Sequence, residues 1–220
     1  MLKPFMRAAA AALPLLALLA GSCNSPARYV TVDGTMLGTT MHVVADVGPS
    51  ARQELYRAAM RLDAEAKASM SIFDSTSLLS RLNRNLTDSV DRHIAFNLAL
   101  ADSIGRLSGG RYDVTVKPLV EAWGFAGRER TLHPNLDSLL AFVGRDKVRI
   151  VDGRLVKSDP RVQLDFNSVA KGYTVDLLAQ LAAHFRTVAD RLTKDGWRDP
   201  ARVLGVDVKT LQYQVPGGML

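Results

Sequence analysis

Residues 27–47 alternate apolar with polar positions and are rich in Val and Thr, a period of two that predicts a hairpin or two short strands. Asp33, Gly34, Gly38 and Gly48 supply the turn residues. The period then lengthens: after Ser50, a candidate cap, Leu55, Ala59, Leu62 and Ala66 recur at helical spacing while Arg, Glu, Asp and Lys occupy the other face, which predicts an amphipathic helix to about Ala68. Polar, irregular sequence follows through Asp88. A second helix over residues 89–107 carries Ile94, Leu98, Ala101 and Ile104 on one stripe, and Gly109-Gly110 ends it.

The segment Tyr112-Asp113-Val-Thr115-Val-Lys-Pro118 begins extended and turns at its proline. Residues 126–135 are charged and loop-like, and Pro134-Asn135 introduce a short helix over 136–143. Two apolar-polar runs, 148–151 and 154–157, flank Asp152-Gly153, a strong signal for a tight hairpin. Asp159-Pro160 turns the chain into 162–166, read as a strand, after which residues 167 and 168 open a helix towards Ala183. Strands followed by helices without a regular βαβ rhythm predict an α+β fold.

At 220 residues, 47% hydrophobic and 23% charged, the chain can bury one sizeable core or two small ones, which excludes disorder as its main state. A single cysteine, Cys23, excludes an internal disulfide framework and a cysteine-based metal site. The formal charge of +6 permits anionic partners without choosing among them. Lys3 and Arg7 precede a small or apolar run over residues 8–20, followed by Gly21, Ser22 and Cys23. That run is too short to cross a hydrocarbon core of about 30 Å as a helix, so it reads as an export signal. Gly21-Ser22-Cys23 resembles a lipobox, whose cysteine would be acylated and would hold an exported protein on a membrane surface facing the periplasm; an ordinary signal with a chance cysteine is the alternative. Dispersed basic residues and the lack of any zinc-finger, helix-turn-helix or RNP-like pattern argue against nucleic acid.

Chemistry concentrates in Asp165-Phe-Asn167-Ser168-Val-Ala-Lys171-Gly172-Tyr173, where an acid at the predicted strand end precedes a lysine one turn into a helix. Unpaired N–H groups and the positive helix end favour an anion, and Lys171 would lie beside it. Asp165 would accept from a ribose or flavin donor or coordinate Mg²⁺. Local spacing alone favours a plainer reading, in which Asn167 or Ser168 caps the helix and Asp165 pairs with an arginine. Asp113 and Thr115 share one side of an extended segment, with Trp123 or Phe125 available to cover an aromatic ligand, although Trp and Phe more often belong to a core. Met36 and Phe73 read most economically as packing residues. The four histidines, His42, His93, His133 and His184, show no paired spacing, so no imidazole metal site or catalytic triad is expected.

Four blocks, taken in order, resemble the ApbE family of FAD:protein FMN transferases: Met36-Leu-Gly38-Thr39-Thr, Met70-Ser-Ile-Phe73-Asp through Asn83, Gly110-Arg111-Tyr112-Asp113-Val-Thr115 through Phe125, and Asp165-Phe-Asn-Ser168-Val-Ala-Lys171-Gly172. The resemblance implies a T-fold-like α+β enzyme that splits FAD, passes FMN to a Thr or Ser hydroxyl of a target protein such as a membrane redox-complex subunit, and releases AMP with the help of Mg²⁺. It implies that Met36, Phe73, Arg111, Tyr112, Asp113, Asp165 and Lys171 contact FAD, and that the main-chain oxygen of Ser168 helps hold the metal. It assigns no catalytic residue. Phe73 stands where Tyr is usual, and Arg111 where a small residue is common. After about Leu181 the blocks cease. The expected division is therefore a signal over 1–22, the N-terminal portion of a flavin transferase over 23–183, and a divergent tail over 184–220, with the family's C-terminal part missing. A catalytically dead lipoprotein with residual FAD binding and an FAD pyrophosphatase are the competing outcomes.

Overall fold

The alternating first segment folds as the expected hairpin, with β1 (Val30–Met36) antiparallel to β2 (Thr39–Ala45). A computed structural model describes residues 29–125 and 129–194, so the signal-like start, Cys23 and the tail from residue 195 lie outside the described residues. Val30, Val32 and Met36 of β1 and Met41 and Ala45 of β2 are buried, as period-two alternation requires. The turn is Leu37-Gly38, with φ of 49° and 72°, the left-handed pair that matches strand twist in a two-residue hairpin. Asp33 and Gly34, expected as turn residues, instead pair within the ladder with His42 and Met41. A Cβ at Gly34 would meet the Met41 side chain at 3.3 Å and the Tyr56 ring at 3.4 Å, so close side-chain packing accounts for that glycine.

Helix α1 (Arg52–Met70) begins after a 3₁₀ turn that contains Ser50, and no side chain caps it. Its expected stripe, Leu55, Ala59, Leu62 and Ala66, is buried. Asp63, expected on the polar face, is buried too: its carboxylate accepts from the Leu37 N–H at 2.7 Å and from Lys67 Nζ at 2.6 Å. A short helix α2 (Leu78–Asn83) forms within the stretch expected to be irregular, with the Ser77 hydroxyl accepting from the Ser80 N–H at 3.1 Å. Helix α3 (Arg92–Leu107) starts where Asp91 accepts from the Ile94 N–H at 2.9 Å and stops at Gly109 and Gly110, as expected. Helix α4 (Lys117–Ala122) replaces the expected turn, since a proline in the first turn sacrifices no intrahelical bond. Asn135 caps α5 (Leu136–Leu140), and the second hairpin, β3 (Val148–Val151) with β4 (Arg154–Lys157), turns at Asp152-Gly153 with φ of 49° and 72°.

Residues 162–166, expected as a strand, join neither ladder. Their buried backbone is satisfied otherwise. The Asn83 amide donates to the Leu164 carbonyl at 2.8 Å and accepts from the Leu164 N–H at 2.7 Å, while the Asp165 N–H donates to the Val114 carbonyl at 2.8 Å. The chain then enters α6 (Ala170–Lys194), which passes the expected end at Ala183, so position 184 lies inside a helix. Leu177, Leu181 and Phe185 bury one face of α6 against α1, and this seam is the centre of a core shared with β1, α2 and residues 162–166.

Asn83→Ala would leave both Leu164 backbone groups unpaired in the interior, and chemical denaturation should register a loss of about 3 kcal/mol. His93, on α3, is buried with its Nδ1 3.0 Å from the Tyr173 hydroxyl; burial lowers its pKa below the usual 6.5, and the Arg92 charge adds to that against the opposing Asp91 and Glu65 carboxylates. Because the unfolded chain takes up that proton first, stability should fall as pH drops below 6.5 towards the depressed value. His93→Gln should flatten that part of a thermal-stability profile measured between about pH 7.5 and about pH 5.5.

Candidate functional site

The turn Leu37-Gly38, the last turn of α1 with its following loop, and the first turn of α6 enclose a cleft of about 750 Å³. The hairpin tip reaches it because buried Asp63 anchors the Leu37 N–H to α1. The loop after α1 is held by Ser71, whose hydroxyl accepts from the Phe73 and Asp74 N–H groups at 3.2 and 3.1 Å. Phe73 thereby projects into the cleft wall with 70% of its surface exposed, which corrects its reading as a packing residue. Asp74 lines the same wall, and the hydroxyl and N–H of Thr76 hold its carboxyl below the usual range, so it stays ionised at neutral pH. Lys171 is exposed on the opposite element, in the first turn of α6, beside Asn167.

Met36 is buried at the end of β1 and lines a second groove of about 700 Å³, which runs between β2 and α6 and shares Leu37 and Lys171 with the first. Its packing reading holds. Asp165 is buried, and its carboxylate accepts from the Asn167 N–H at 2.8 Å, so a backbone amide holds it where an arginine was the expected partner. The Ser168 hydroxyl, one of the two expected caps, lies 2.7 Å from the phenol oxygen of Tyr112. Burial raises the Tyr112 pKa, and the Asp165 and Asp113 charges push it in the same direction against the Ser168 bond. Asp113 closes a local turn, accepting from the Thr115 N–H at 2.8 Å and hydroxyl at 2.7 Å, and Thr115 is fully buried. Arg111 is exposed and donates to the Ser108 carbonyl at 3.3 Å.

The structure therefore gathers Phe73, Lys171 and the residues beside Met36 around one space, and ties Tyr112 and Val114, on either side of Asp113, to the Asp165-Ser168 turn. Trp123 and Phe125 are not core residues; they are 48% and 66% exposed, with the Arg130 guanidinium 5.2 Å from the Trp123 ring centre. Sequence reasoning missed Asp63, Ser71 and Asn83, whose roles depend on backbone groups distant in sequence. Among the described residues no three His, Cys, Asp or Glu side chains converge as a metal cage. The carboxylate of Asp165, already accepting from Asn167, and the carbonyl of Ser168 are too few donors to fix an octahedral magnesium ion.

Comparison with known proteins bears on the family and the fold. Residues 37–190 match the model of the ApbE family. The FAD:protein FMN transferase of Haemophilus influenzae is 31% identical over 180 residues, 75% of this chain and 52% of that protein. That of Vibrio cholerae is 32% identical over 177 residues, 76% of this chain and 53% of its own length. Among solved structures, the flavin transferase ApbE from Vibrio cholerae superposes with a TM-score of 0.64 at 28% identity over 78% of this chain and 55% of that one. The apo Pseudomonas stutzeri flavinyl transferase ApbE gives 0.66 at 25% identity over 71% and 53%. The chain thus spans about half the length of the curated relatives it matches, in their α+β architecture. With a family match that runs from the hairpin turn through most of α6 and takes in every element lining the cleft, this chain belongs to the ApbE family.

Proposed function

We propose that this chain transfers FMN from FAD to a Thr or Ser hydroxyl of a target protein, with release of AMP. The observation that carries the reading is the cleft that places an exposed aromatic, Phe73, and a helix-first-turn cation, Lys171, in one space large enough for part of a dinucleotide. Lys171 and the N-terminal end of α6 favour the diphosphate, because both present positive potential to it. Phe73 offers a face to an aromatic ring. Met36, Arg111, Tyr112, Asp113 and Asp165 complete the contact set that the family resemblance suggests.

In the proposed reaction the acceptor hydroxyl attacks the phosphorus on the FMN side, the bond to the AMP oxygen breaks, and the hydroxyl proton leaves. Phosphoryl transfers of this type depend on positioning and on neutralising the diphosphate. The chain's contribution is to hold that diphosphate against Lys171 and to seat the flavin away from water. Magnesium is part of the proposal as a requirement of the whole reaction; of the described residues, Asp165 and the Ser168 carbonyl would contribute to holding it and it would neutralise the diphosphate.

Incubation with FAD, Mg²⁺ and a Thr-bearing acceptor domain should yield AMP and an acceptor heavier by one FMN group in mass spectrometry. AMP with free FMN and an unmodified acceptor would mean hydrolysis instead, and quenching of flavin fluorescence without AMP would reduce the chain to a binding protein. Lys171→Ala should weaken FAD binding about tenfold, while His133→Ala, on an exposed loop, should leave it unchanged. The reading also places the protein on a membrane through Cys23, at the periplasmic face. Globomycin treatment of expressing cells should therefore retard its gel migration; unchanged mobility would remove the anchor.

A further inference from the structure

The loop that follows α3 is pressed tightly onto that helix. A Cβ on Gly105 would stand 3.0 Å from the Tyr112 carbonyl oxygen, so only glycine allows the approach without displacement. One turn on, the Ser108 hydroxyl accepts from the Tyr112 N–H at 3.1 Å, which fixes Tyr112 by its own backbone to the end of α3. From that anchored position the phenol reaches across to Ser168 at 2.7 Å, a residue 56 positions away. A second tie lies beside it, the 2.8 Å bond from the Asp165 N–H to the Val114 carbonyl. The backbone tie restrains the start of the Asp165-Ser168 turn, and the side-chain tie restrains its end.

We infer that Tyr112 is a positioning residue whose hydroxyl acts through Ser168, clamping the turn that leads into α6 so that the helix end and Lys171 stand ready for a diphosphate. The inference deepens the flavin-transfer reading and rests on it. Ser168 is exposed, and its neighbour Asn167 lines the cleft. The phenol is the hydrogen-bond partner that ties this exposed Ser168 hydroxyl to the end of α3. Val169 and Ala170 both donate to the Phe166 carbonyl, at 3.0 and 2.8 Å, so any rotation of the turn passes directly into the first turn of α6. This role differs from the direct FAD contact that the family resemblance suggests for Tyr112. A group acting through Ser168 loses its effect when Ser168 is changed, whereas a group touching the ligand does not.

The test is a double-mutant cycle in ligand affinity on the full chain, using Tyr112→Phe, Ser168→Ala and both together, titrated separately with FAD, ADP and riboflavin. Each single variant should weaken FAD and ADP by about fivefold, and the double variant should be no weaker than either. Riboflavin, which has no phosphate, should bind all four proteins equally. Losses that multiply in the double variant, an equal loss for riboflavin, or unchanged ADP affinity would each overturn the inference while leaving flavin binding intact. A wild-type chain that binds neither FAD nor ADP would instead remove the flavin reading, and this inference with it.

Discussion

Residues 162–166 run through the interior outside either hairpin ladder, and the need to pair their buried backbone groups governs much of what surrounds them. A segment in a sheet has a ladder for this purpose; here the long-range partners include a side-chain amide, Asn83, and a loop carbonyl, Val114. Leaving a buried amide or carbonyl unpaired is costly, so these contacts constrain the fold more than their number suggests. Asn83 must sit at the end of a helix packed beside Leu164, which gives α2 its reason to exist. Val114 must lie alongside Asp165, which draws the loop after α3 under the entry to α6. The apolar seam between α1 and α6 closes around that arrangement, with Leu55, Leu62, Leu181 and Phe185 fully withdrawn from water.

The cleft follows from the same constraints. Once residues 162–169 are fixed, α6 begins at a set place, and Lys171 in its first turn has little freedom to be elsewhere. The facing wall is set by α1, whose buried Asp63 reaches the Leu37 N–H and so brings the hairpin tip to the end of the helix. Lys67 compensates the Asp63 charge at 2.6 Å, the pairing that makes a mostly buried carboxylate tolerable. Each wall of the site is thus held by a polar side chain that serves a backbone group on another element, while the cleft-lining Phe73 and Lys171 remain exposed.

Membership of the ApbE family and this geometry bear on different questions. The match spans the blocks around Gly38, Phe73, Asp113 and Lys171. The geometry separates those blocks into roles: Phe73 and Lys171 line the cleft, whereas Asp113 closes a local turn and Tyr112 bonds to Ser168. Residues that stand side by side in one block need not do the same physical task.

The local rules were legible in the chain itself. Period-two alternation and Asp152-Gly153 identified the hairpins, and the stripes from Leu55 and Ile94 identified α1 and α3, because these patterns depend only on neighbours within a few residues. Local spacing likewise puts Asp165 just before a helix and Lys171 in its first turn. Other features were decided by distant partners. Asp63 looked like a surface residue until a hairpin N–H required it, residues 162–166 looked like a strand although no ladder stands beside them, and Phe73 looked like core although Ser71 turns it outward. Sequence determined which segments would be helical or hairpin-like and which residue types were available for chemistry. Tertiary structure alone decided which buried backbone groups lacked a partner and which side chain, tens of residues away, would supply one, since that depends on where the chain returns in space.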